Sequence, residues 1–63
     1  MCQVSAYVQD GEKQQILKEN VTKMEVLDKG VRIGTLFESP VDYADMLLKY
    51  IDFSAGKIIL EKQ

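Results

Sequence analysis

Apolar and polar residues alternate along most of this chain, and turn-forming residues cut the alternation into short segments. Cys2, Val4, Ala6 and Val8 share one parity, with Gln3, Ser5, Tyr7 and Gln9 on the other. That period predicts a half-buried strand over 2–9. Asp10-Gly11 closes it with a hairpin signal. Residues 13–18 form a polar second strand whose apolar members are Ile16 and Leu17, a composition suited to an edge blunted by Lys13 and Lys18. Glu19-Asn20 turns into a third strand, 21–28, with Thr22, Met24 and Val26 on one face. Asp28-Lys29-Gly30 is the next turn, where Gly30 is free to take positive φ. Val31, Ile33, Thr35 and Phe37 then alternate with Arg32, Gly34, Leu36 and Glu38, and 31–37 is the cleanest strand. Gly34 inside it suggests a bulge or a close backbone approach.

Residues 39–53 fit two readings. Serine followed by proline is a sound helix start, and Val41, Ala44, Leu47, Leu48 and Ile51 would make a helical apolar face. Met46 to Phe53 also reads as a strand with a parity break near Lys49-Tyr50. Ser54-Ala55-Gly56-Lys57 is a compact loop into 57–62, and a short glycine-containing loop between two apolar runs favours a terminal hairpin. Local signals therefore favour a strand at 46–53. No repeat, linker or low-complexity stretch interrupts the chain, so 1–63 is a single small β domain.

Size then constrains how such a sheet is stabilised. A chain of 63 residues buries only ~60% of its unfolded surface, and short domains draw on disulfides, metals or partner chains. One cysteine and no histidine exclude an internal disulfide and a closed zinc site within one chain. Oligomerisation is left, with the option of a metal shared between chains. Eight basic residues against ten acidic ones give no basic footprint for nucleic acid. No apolar run approaches the ~20 residues of a membrane span, and the alternating N-terminus is no signal peptide. The expected location is the cytoplasm, where a lone thiol stays reduced.

The distinctive chemistry sits at Cys2. If Met1 is removed, one residue carries both a free amine and a thiol, which form a five-membered chelate ring when deprotonated. A planar N,S donor set suits Ni(II) or Cu(II). If Met1 is retained, the amine becomes an amide and the thiolate is the remaining good donor. The plainer reading is a small packing residue at the start of a strand.

Three stretches together resemble one family: Met1-Cys2, the segment from Lys29 to Glu38 (KGVRIGTLFE), and the segment from Tyr50 to Lys62 (YIDFSAGKIILEK). They are similar to the CooT family of small nickel-binding proteins, named for an accessory protein of carbon monoxide dehydrogenase maturation; other members have been labelled RNA-binding. The likeness covers nearly the whole chain, and within it only the second-position cysteine is chemically distinctive. It implies a small all-β homodimer with Ni(II) bound through Cys2, and the turn-delimited segments give a single-domain antiparallel sheet or barrel of about six strands. It also implies a strand at 46–53, at most a helical turn around 40–45, and a nickel enzyme or its maturation proteins as partner. Two copies of Cys2 at a dimer axis predict one Ni(II) per dimer. No histidine-rich tail is present, and residues 39–45 look specific to this chain.

The remaining candidates read more plainly. Met24 and Met46 suit core gap-filling better than thioether ligation. Tyr7, Tyr50, Phe37 and Phe53 suit strand packing better than base stacking, given the acidic balance. Asp42 and Asp45, like Glu12 and Glu61, lack any histidine, nucleophile motif or phosphate loop beside them, so catalysis has no support. Two function classes follow: a nickel-binding accessory protein, or a small β module binding RNA or protein in which metal is incidental.

Overall fold

In the computed structural model, which describes residues 3–63, the alternation folds into seven strands. They are β1 (Ser5–Asp10), β2 (Lys13–Lys18), β3 (Val21–Leu27), β4 (Gly30–Thr35), β5 (Val41–Ala44), β6 (Met46–Asp52) and β7 (Lys57–Lys62). Two sheets form, one ordered β2-β1-β7-β6 and the other β3-β4-β5. Cys2 lies outside the described residues, and β1 begins at Ser5 rather than at residue 2.

Several expectations are corrected. The strands number seven rather than six, and residues 41–44 are a strand, not a helical turn. The cause is β4, whose free edge takes Val41, Asp42, Tyr43 and Ala44 in register opposite Ile33, Arg32, Val31 and Gly30. The sheets remain separate, so this is not a closed barrel. Nor is the pairing wholly antiparallel, because β1 and β7 run parallel. Strand β4 stops at Thr35, leaving Leu36 and Phe37 exposed beyond it. Gly30 does not use positive φ. Its role is steric, since a methyl there would overlap the Tyr43 carbonyl oxygen on β5. Gly34 does lie beside a bulge: β3 steps from Val21 to Lys23 opposite Thr35 and Gly34, leaving Thr22 as the extra residue.

Among the described residues, four with positive φ mark where the chain changes course. Gly11 and Gly56 turn the hairpins β1–β2 and β6–β7, while Asn20 (φ 56°) and Asp45 (φ 59°) sit where the chain crosses between sheets. Asn and Asp tolerate this left-handed conformation better than other side chains. Asp45 is the whole connection from β5 to β6, and its amide donates to the Lys29 carbonyl at 2.7 Å.

The core lies between the sheets. Ala6 and Val8 of β1, Val31 and Ile33 of β4, and Ile58 and Leu60 of β7 meet there, with Val21 and Met46 closing the ends. Fully burying a side chain such as Ile33 or Leu60 contributes about 1.5–3 kcal/mol. Strand β7 is the central element: it pairs with both β1 and β6, and Ile58, Ile59 and Leu60 are all buried. Ile59 points away from the core, on the outer sheet face, in register with Tyr7 and Tyr50. Strand β2 is an edge, as its lysines predict.

Candidate metal centre

The start of the first strand is held from two sides. Val4 packs against the core, and its carbonyl accepts the Val21 amide at 2.8 Å. The Ser5 amide donates to the Gly56 carbonyl at 2.9 Å. Gly56, at φ 69°, also passes so close to Gln3 that a methyl on it would overlap the Gln3 carbonyl oxygen. The turn presenting Gly56 is itself capped, because the Asp52 carboxylate accepts the Ala55 amide at 3.0 Å. Backbone from two distant parts of the chain thus grips residues 3–5, one peptide bond beyond Cys2.

An apolar groove of about 400 Å³ opens at this point, lined by Val4, Val21, Met24, Ile51, Phe53 and Ile58. Its lining comes from β3 on one sheet and β6–β7 on the other, with Val4 between them. Phe53 stands at its mouth and is 84% exposed. Among the described residues, no three His, Cys, Asp or Glu side chains gather closely enough to hold a metal ion. Cys2, the residue whose thiol the sequence singles out for metal, lies outside the described residues.

Charges elsewhere are arranged in pairs. Arg32 grips Asp42 with two hydrogen bonds of 2.6 and 3.2 Å, and Glu25 lies 4.0 Å from the same guanidinium. The bond to Asp42 raises the Arg32 pKa, and the bond from Arg32 lowers that of Asp42. Lys18 meets Glu38 at 3.1 Å, which raises the pKa of the lysine and lowers that of the carboxyl. Lys23 and Lys49 lie 3.8 and 3.9 Å from Glu25 and Glu61. Among the described residues, four of the eight basic side chains thus face carboxylates, which dilutes any attraction for phosphate.

Of the other residues singled out in the sequence, Met46 lies in the core and Met24 packs against it. Asp42 is an ion-pair partner of Arg32, and Asp45 is a backbone corner. Tyr7 and Tyr50 lie within strands, in register with Ile59, while the two phenylalanines depart from expectation. Phe37 and Phe53 lie beyond the strand ends and are 91% and 84% exposed, so neither packs within a sheet. Tyr7 carries the Lys57 ammonium over its ring, 5.0 Å from the centroid. Sequence reasoning missed the part Gly56 plays. Its loop was legible, but its contact with Gln3 spans nearly the whole chain and leaves no local signal.

Comparison with known proteins adds the following. A family model described as CooT, CO dehydrogenase accessory protein, matches residues 1–61. No curated protein sequence matches at a significant level. The crystal structure of a Carboxydothermus hydrogenoformans chain described as a CooT superposes with a TM-score of 0.85 at 22% identity, covering 98% of each chain. At that identity the likeness shows a shared fold.

Proposed function

This chain belongs to the CooT family of CO dehydrogenase accessory proteins, and from that premise we propose that it binds Ni(II) through Cys2 and serves the maturation of a nickel enzyme such as carbon monoxide dehydrogenase. The family is one of accessory proteins, not of enzymes. The observation that carries the proposal is the grip on residues 3–5 by Gly56 and Val21. A donor on the preceding residue starts from an anchored backbone, so less chain entropy is lost when metal binds.

Among the described residues no cluster of three donor side chains supplements Cys2. We propose that two copies meet across the groove beside the terminus, bringing two Cys2 thiolates to one Ni(II), with amines or peptide nitrogens completing the set. Burial of Phe53 and the groove lining would drive that contact. Zinc would have to accept a near-planar set against its tetrahedral preference, whereas Cu(II) competes through higher intrinsic affinity. The proposed setting is the cytoplasm, with the recipient enzyme or another maturation protein as partner.

Nickel titration followed by absorption tests this reading. Thiolate-to-nickel charge transfer should rise to a plateau at one metal per two chains. Cys2→Ser should abolish tight binding while leaving the β fold intact by circular dichroism. Tight binding by the serine variant would return Cys2 to a packing role. Affinity should also weaken as pH falls below about 8, where thiol and α-amine both regain protons.

A further inference from the structure

We infer that Gly56 is a positioning residue for the N-terminal metal donor: the β6–β7 turn is the seat on which the terminus rests, and its shape fixes where Cys2 begins. The inference rests on the nickel reading above, and adds a residue 54 positions away in the sequence. Two independent contacts converge on Gly56. Its carbonyl accepts the Ser5 amide at 2.9 Å, and a methyl on its Cα would overlap the Gln3 carbonyl oxygen. Hydrogen bonding sets the distance of the first strand from the turn, while the missing side chain lets Gln3 lie flat against it.

The molecule holds a matched control. Gly11 turns the other hairpin of the same sheet at φ 64°, close to the 69° of Gly56. A methyl on Gly11 meets nothing within 4 Å. Alanine at either site suffers the same left-handed strain. Only at Gly56 does it also push against Gln3. Any effect that separates the two substitutions therefore reports the contact with the terminus rather than the backbone strain.

The test compares the parent with Gly56→Ala and Gly11→Ala by two readouts. The first is hydrogen exchange without metal. In Gly56→Ala, protection of the Ser5 amide should fall tenfold or more relative to the core amides of β7; in Gly11→Ala, the ratio should stay within twofold of the parent. The second is nickel affinity by titration, which should weaken tenfold or more in Gly56→Ala and less than twofold in Gly11→Ala. Should Gly56→Ala fail to fold, Asp52→Ala decides, because it removes the cap on the Ala55 amide and loosens the same turn. It should lower Ser5 protection and nickel affinity together. Parent-like values of both readouts in a folded Gly56→Ala, or in Asp52→Ala if that is the variant that folds, would overturn the inference. A parent that binds no nickel would instead overturn the metal reading, and the exchange ratio would still decide whether Gly56 seats the terminus.

Discussion

Asp45 shows what a single residue decides in this fold. It carries the chain from β5 in one sheet to β6 in the other with no loop, at φ 59°. A β-branched side chain there meets the full left-handed penalty, about 1–2 kcal/mol, while glycine meets none. Asp45→Val should therefore lower stability by about that amount, and Asp45→Gly should hold or slightly raise it, as read from urea unfolding midpoints. Equal midpoints for the two variants would mean that the corner relaxes freely. The core offers a second check. Ile33 is fully buried, and Ile33→Ala should cost about 2–5 kcal/mol, enough to unfold much of a domain this small. Ile33 was legible from alternation alone. The corner was not, because its φ is imposed by the crossing between sheets, and an aspartate followed by an apolar run says nothing about a crossing.

Among the elements, β5 was the hardest to read. It has four residues, only Tyr43 among them is half-buried, and the serine and proline before it start helices as readily as strands. What makes it a strand is supplied from outside: the free edge of β4, the side-chain-free approach at Gly30, and the grip of Arg32 on Asp42. Strand β4 carries its own alternation, so its position was legible, whereas β6, with its parity break, was favoured over a helix by the short glycine-containing loop that follows it. The Arg32–Asp42 pair also makes β5 sensitive to acid. Because the folded carboxyl titrates below its usual range, the pair's contribution is fully present above the unfolded aspartate value, about 3.9. It is lost as pH falls through the lower, folded value. Asp42→Asn should lower the unfolding midpoint modestly at pH 7, and the gap from the parent should close in strong acid. Glu38, held low by Lys18, should behave alike in Glu38→Gln. A gap that persisted unchanged into strong acid would mean that charge pairing is not what these residues contribute.

For the whole molecule, the expectation was an antiparallel sheet or barrel of about six strands, and the outcome is two sheets with a parallel pair inside one of them. Alternation reveals which face of a strand is buried but not which strand lies beside it, so sheet membership could not be read from the chain. Strand β6 ends up on an edge with Leu47, Leu48, Tyr50 and Ile51 each more than a third exposed. So much apolar surface on a small domain is consistent with a partner chain, and sedimentation at micromolar concentration should find a dimer. A monomer would remove the shared metal site proposed above. The parallel pairing has a further consequence in time. Strand β1 is made first and β7 last of the seven, yet they lie side by side, and β7 supplies much of the core. A nascent chain can close its first hairpin early, but the flank of β1 facing β7 stays bare until six other strands have left the ribosome. Such distant pairing is slow to form and exposed while it waits. Gly56 directly precedes β7, so the turn against which residues 3–5 rest is assembled only after the first six strands have been made.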